Sequence, residues 1–354
     1  MSDQLTDLMY RCSPRKAQQL IGEIIEANEV PFLRSSPGLG KSAIMQTIAD
    51  KYGLQLKDHR MASSEPTDMN GMPKTFEKHA EFLPFEHMFP LERTPLPQGK
   101  DGWLLFLDEF NSSHKQVQAA SYKLILDRAV GQYRLSQNLR IALAGNLDTD
   151  GALTNTISTA LESRVITIEM TVKGYEKEWL EDVAIPRGYD ARLIAFLSNH
   201  PSKLMDFTPN HDGYSYSCPR TWSKLNNLID GREVTVDRQV MYGGTISRGT
   251  AAEFVQFCSL FEHRISIERI MDDPEGCEVP RDPAIRWATV SSMRDNVTKD
   301  SFPSLCLYAN RFPLDFRVLF YRGVLAVHQA FHTHPSFIKA ATELKDYLNG
   351  KTRK

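Results

Sequence analysis

Apolar residues recur at helical spacing over residues 14–28, where Leu20, Ile21, Ile24 and Ile25 share one stripe behind Pro14. That pattern predicts an opening helix. A short strand is expected over 30–33, then a glycine-bearing turn, then a helix, AIMQTIADKYG, that closes at Gly53. A second strand candidate covers 54–61. Residues 64–100 are rich in Pro and Gly and read as loop with small insertions. WLLFLDEF (103–110) is a continuous apolar run closing on two acids, the signature of a strand buried on both faces in a parallel sheet. Val117, Ala120, Ser121, Leu124 and Ile125 then fall on one helical face. Residues 128–141 read as a hairpin leading into a strand at 141–145, and a further strand is expected at 165–170. Strands alternating with helices predict an α/β fold with a parallel five-stranded sheet.

The second half changes character. ARLIAFLSNH, PRTWSKLNNLI, AAEFVQFCSLFEHRISIERI and FRVLFYRGVLAVHQAF all carry helical patterning, and the Pro-rich run at 273–283 reads as a break. The boundaries this suggests are an α/β domain over 1–173, a helical segment over 174–231 and a helical C-terminal extension over 232–354. The length of 354 residues agrees, because single cores stop growing at roughly 250–300 residues.

Composition narrows the function classes. Hydrophobic residues are 41% and charged residues 24%, which excludes a mostly disordered chain. The 42 basic and 44 acidic residues leave a net charge of −2, without the basic excess of a protein that coats DNA, though a local basic channel stays open. No apolar run approaches the ~20 residues needed to span a membrane. The start, MSDQLTDLMYRC, lacks a signal-peptide pattern. The five cysteines are scattered without a CxxC, which points to reduced thiols and a cytoplasmic protein rather than a disulfide frame or zinc site.

The chemistry concentrates in two segments. Ser35-Ser36-Pro37-Gly38-Leu39-Gly40-Lys41-Ser42 lies between a strand and a helix. Glycines there let backbone N–H groups turn inward around phosphate oxygens, and the new helix N-terminus adds partial positive charge. Lys41 is placed to reach the β- and γ-phosphates, and the Ser42 hydroxyl to bind Mg²⁺. One position departs from GxxxxGK[ST], with Ser35 at the first glycine. The second segment ends in Asp108-Glu109, two carboxylates at the C-terminal end of a buried strand, where open α/β sheets bind ligands. Asp108 suits the Mg²⁺ shell, and Glu109 suits activation of a water. Asn111 follows, either holding Glu109 in an inactive pose or capping the next helix.

SSPGLGKS, LLFLDEFN, an Asn after the next strand and a later Pro-Arg pair resemble the AAA+ ATPases, and within them the MoxR branch. TDMNGMP (67–73) and RAVGQY (128–133) resemble further segments of that branch, and the resemblance spans residues 14–230. It implies a P-loop NTPase domain with a helical lid over 174–231. It also implies ATP and Mg²⁺ as cofactors, with Ser36, Pro37, Gly38, Leu39, Gly40, Lys41 and Ser42 around the nucleotide. Asn146 then resembles the sensor 1 amide, and Arg164, before the fifth strand, the arginine finger that reaches a neighbouring subunit. Arg220, opening PRTWSKLNNLI, resembles sensor 2. Catalysis falls to Glu109, Asn146, Arg164 and Arg220.

The function so implied is ATP hydrolysis in a homo-oligomeric, hexameric ring, coupled to remodelling of a protein partner that carries a von Willebrand factor A domain. A McrB-like motor acting on nucleic acid with a nuclease partner is the alternative, and Asn146-Leu147-Asp148 faintly resembles its sensor segment. A non-hydrolysing, nucleotide-gated platform is a third class. Phe76, Phe82 and Phe85 either face a central pore or belong to a packed insertion.

Overall fold

The computed structural model describes residues 10–150, 155–209, 213–261, 263–327 and 329–348. Contacts divide them into two compact units. The first runs through Trp179 and takes in Cys218–Arg220; the second begins at Leu180 and includes Thr221 onward.

In the first unit the apolar runs become a wholly parallel sheet. Its strands are β1 (Arg11–Cys12), β2 (Pro31–Ser35), β3 (Leu54–Arg60), β6 (Gly102–Asp108), β9 (Leu139–Gly145) and β10 (Ile166–Met170). Two antiparallel hairpins, β4 (Met72–Thr75) with β5 (Ala80–Leu83) and β7 (Ala129–Val130) with β8 (Tyr133–Arg134), lie outside it. The order in the sheet is β1-β10-β2-β9-β6-β3. The five expected strands are therefore joined by a sixth. β1 has only two residues, too few for any alternation to register in the sequence. It pairs with β10, where Arg11 Nε meets Glu169 Oε2 at 3.3 Å; the charges continue inward, with Arg34 Nη1 meeting Glu169 Oε1 at 3.7 Å and Arg34 Nη2 meeting Asp148 Oδ2 at 2.6 Å.

Trp103 through Leu107 are all buried, as a strand covered on both faces requires. Trp103, Leu105 and Leu107 join Val117, Leu124 and Ile125 of α4 (Lys115–Leu126) in one cluster. Each such side chain contributes ~1.5–3 kcal/mol on burial, so these runs specify the sheet. The opening helix, α1 (Pro14–Glu26), starts at Ser13, whose Oγ accepts from Lys16 N at 3.2 Å. It buries Ala17, Ile21 and Ile25. The other short helices of this unit are α2 (Lys41–Lys51), α3 (Pro66–Asn70), α5 (Thr159–Glu162) and α6 (Glu176–Trp179). Residues 64–100 hold α3 and the β4–β5 hairpin, which carries the exposed Met72 and Phe82 and the tip residue Phe76. Tyr133 of β8 donates to Glu81 of β5 at 2.9 Å.

The described elements of the second unit are helical. The helical patterning over 251–270 resolves into two helices: one ends at Phe261 and another, Ile267–Asp272, starts after Ser266, whose hydroxyl accepts from Arg269 N at 3.4 Å. An N-cap serine offers the backbone this exit, and apolar spacing alone did not reveal it. Phe196, Trp222, Phe254 and Phe257 form an aromatic core. The Asp206 carboxylate accepts from Ser217 Oγ, Ser247 Oγ and Thr250 Oγ1. No helix among the described residues is long and apolar enough to cross a membrane.

Candidate functional site

β2, β9 and β6 are neighbours, so their C-terminal ends deliver three loops to one place. After Ser35, the β2 loop turns through Gly38 (φ 81°) and Gly40 (φ 85°), both in the left-handed region that L side chains rarely adopt. Gly38 is also crowded, because a β-carbon there would collide with Sγ of Cys218. Gly40 precedes α2 without any side-chain cap, leaving the first N–H groups of that helix for another acceptor. Leu39 is buried and anchors the loop, while Ser36 and Pro37 are half-buried.

Lys41 spends its ammonium on three acceptors. Nζ donates to Ser35 O at 3.2 Å, Ser35 Oγ at 3.3 Å and Asn146 Oδ1 at 3.0 Å. Burial pushes its pKa down to about 8; the charge of Asp108 opposes this and that of Arg220 adds to it. Ser42 Oγ lies 3.4 Å from Asp108 Oδ2. A hydroxyl and a carboxylate are hard oxygen donors of the kind that would hold a Mg²⁺ ion.

Asp108 uses its other oxygen, Oδ1, to accept from Glu109 N at 2.8 Å. Glu109 itself sits at φ 56°, a left-handed conformation costing roughly 1–2 kcal/mol for a side-chain-bearing residue. The residue is half-buried and follows directly on the end of β6. Asn146 follows β9, and its backbone is held by Asn111: Nδ2 donates to Asn146 O at 2.8 Å, and Oδ1 accepts from Asn146 N at 3.0 Å. Asn111 therefore neither grips Glu109 nor caps α4, whose N-cap is His114. Sequence reading missed this role, and also missed Cys218 and Asp150. Burial raises the pKa of Asp150, opposed by a hydrogen bond from Ser36 and by the charge of Lys41.

Arg220 opens the helix Pro219–Ile229, and its backbone N donates to Gly38 O at 3.1 Å. Its side chain is exposed. Lys41, Ser42, Asp108, Glu109 and Asn146 are thus assembled, with the Arg220 backbone on the loop beside them. Arg164 is different. It is exposed past the end of α5, and its Nη1 donates to Ala160 O at 2.8 Å, outside this hydrogen-bonded group. Among the described residues no cluster of three or more His, Cys, Asp or Glu is arranged to hold a metal. The Ser42–Asp108 pair instead suits an ion that arrives with its own phosphate ligands.

No protein-family model matches the chain. No curated protein matches it either. Solved structures do. The Thermotoga maritima RuvB Holliday junction branch migration motor is 18% identical, covering 69% of this chain and 67% of its own, with a TM-score of 0.34. A point mutant of T. maritima RuvB is 15% identical, covering 94% and 88%, with a TM-score of 0.40. Brucella abortus NtrX in complex with ADP is 14% identical, covering 97% and 68%, with a TM-score of 0.35. Strand order, glycine loop and strand-end acids make the first unit an α/β P-loop fold around a parallel six-stranded sheet.

Proposed function

We propose that this chain is an AAA+ ATPase of the MoxR-like kind, hydrolysing ATP with Mg²⁺. The observation that carries this reading is the convergence of Lys41, Ser42, Asp108 and Asn146 from three separate strand ends through hydrogen bonds. In the reaction, Lys41 Nζ would exchange its protein acceptors for phosphate oxygens. Ser42 and Asp108 would hold Mg²⁺, which supplies charge neutralisation across the β- and γ-phosphates. Glu109 accepts a proton from the attacking water, and Asn146 donates from its amide to that water or to the γ-phosphate.

Arg164 is exposed and takes no part in these bonds, which suits a group offered to a neighbouring subunit's phosphate. That role requires a ring, and six subunits is the family arrangement. Arg220 reads the same nucleotide from the start of its helix. Loss of the γ-phosphate deprives both arginines of their partner, and the resulting change between subunits is the work done on a client. The client, a protein with a von Willebrand factor A domain, rests on the family resemblance. The net charge of −2 lacks the overall basic excess of a protein that coats DNA.

The test is capture with Glu109→Gln protein in ATP and Mg²⁺. Recovery of a von Willebrand-type protein supports the full reading. Recovery of a nuclease, or strong salt-sensitive stimulation of turnover by DNA, replaces it with the nucleic-acid motor. Failure of the wild type to hydrolyse ATP ends the ATPase reading.

A further inference from the structure

We propose that Asn111 is a positioning residue that locks Asn146 to the turn carrying Glu109, so that the phosphate sensor and the water-activating carboxylate move as one piece; this rests on the ATPase reading above. The β6–β9 ladder ends where Leu107 pairs with Leu143. Beyond that point the Asn111 carboxamide takes over. A backbone N–H only donates, so the bond from Asn146 N fixes Oδ1 as the acceptor and Nδ2 as the donor. A side-chain amide offers one donor face and one acceptor face, as a peptide group does. Asn111 thus adds one more rung to the parallel sheet after both strands have ended.

Two further observations support the lock. Asn111 is only 2% exposed, so in the folded protein its two bonds are shielded from solvent. Position 145 is glycine, and a β-carbon there would overlap Asn111 Oδ1. The same turn also holds the far end of the sensor segment: Asn155 N donates to Asn111 O at 2.6 Å, and Asn155 Nδ2 donates to Ser113 O at 2.8 Å. Residues 146 and 155 are therefore tied to one short turn that begins at Glu109. Asn111 acts on Lys41 only through Asn146, whose side chain accepts from Nζ.

The test uses the full-length protein with Asn111→Ala, Asn146→Ala and the double variant. Displacing a reacting group by about an ångström costs on the order of 10–100-fold, so Asn111→Ala should lower kcat by that factor with nucleotide affinity held within about threefold. The double variant should lose no more than Asn146→Ala alone. Hydrogen exchange at the Asn146 amide, measured without nucleotide, should accelerate in Asn111→Ala. Asn111→Ser, which keeps one short polar group but cannot span both the N–H and the C=O of Asn146, should fall between wild type and Asn111→Ala and provides the comparison if the alanine variant does not fold. Unchanged kcat, multiplying losses in the double variant, or unchanged exchange at Asn146 would overturn the proposal. If the wild type shows no ATP turnover, the ATPase reading fails and exchange at Asn146 alone decides whether Asn111 holds that backbone.

Discussion

Lys41 and Asn146 are joined by one hydrogen bond, Nζ to Oδ1 at 3.0 Å, between the end of the glycine loop and the end of a different strand. A buried ammonium needs acceptors, and a neutral amide supplies one without cancelling the charge. The lysine is therefore held in place yet remains a full positive charge for an incoming phosphate. Removing each partner should have different effects. Lys41→Ala should abolish nucleotide binding, read by calorimetry. Asn146→Ala should keep binding and slow turnover, read by phosphate release.

Glu109→Gln keeps the size and the left-handed turn but removes the base. General-base removal costs roughly 10²–10⁴-fold in rate. The variant should bind ATP normally and retain it. Wild-type turnover by Glu109→Gln would remove this residue from the chemistry.

Arg164 can be tested by mixing. Arg164→Ala subunits should be slow by ~10³–10⁵-fold, the scale of a lost arginine finger. Combined with Lys41→Ala subunits, they should regain part of that rate, because each supplies what the other lacks. Mixed assemblies confirmed by native mass spectrometry that show no rescue would place Arg164 outside the reaction.

The pH dependence follows from Lys41, which burial lowers to about 8. In the free protein its charge is present below that value and fades above it. Phosphates favour the charged form. Nucleotide affinity should hold near pH 7 and fall toward pH 9, with proton uptake on binding in the upper range. Calorimetry in buffers of different ionisation enthalpy measures that uptake, and proton release would contradict it. Folding stability from this one group moves the other way. The folded state tolerates its charge less than the unfolded chain does, so its contribution improves as pH rises from about 8 toward the ordinary 10.5.

Gly38 tests the crowding above the loop. Gly38→Ala faces both the left-handed φ of 81° and the Cys218 sulfur. It should weaken nucleotide binding, and adding Cys218→Ala should recover part of the loss. The remainder reflects backbone strain of roughly 1–2 kcal/mol. Full recovery would mean that the conformation at 38 costs nothing.

The strands that build the site were legible because Trp103 through Leu107 form an unbroken apolar run that only burial on both faces explains. The glycine loop was legible because Gly38, Gly40 and Lys41 are adjacent in the chain. The rest depends on register. That Asn111 meets Asn146 follows from Leu107 pairing with Leu143 and from the missing β-carbon at Gly145. No local pattern carries that pairing. The β4–β5 hairpin escaped for the opposite reason: all four residues of β4 are exposed, so no alternation marks it. β1 is two residues long and pairs with β10, where Arg11 meets Glu169, a contact that exists only once the sheet has formed.

The order β2-β9-β6 has a thermodynamic consequence. The three loops become neighbours only after strands distant in sequence have docked, so no short segment of the unfolded chain contains the whole site. A ligand that binds there draws on the whole sheet at once. By mass action, nucleotide at a hundred times its Kd should deepen the native basin of the first unit by about 2.7 kcal/mol. Its melting temperature thus becomes a titration of the site, available before any turnover is measured.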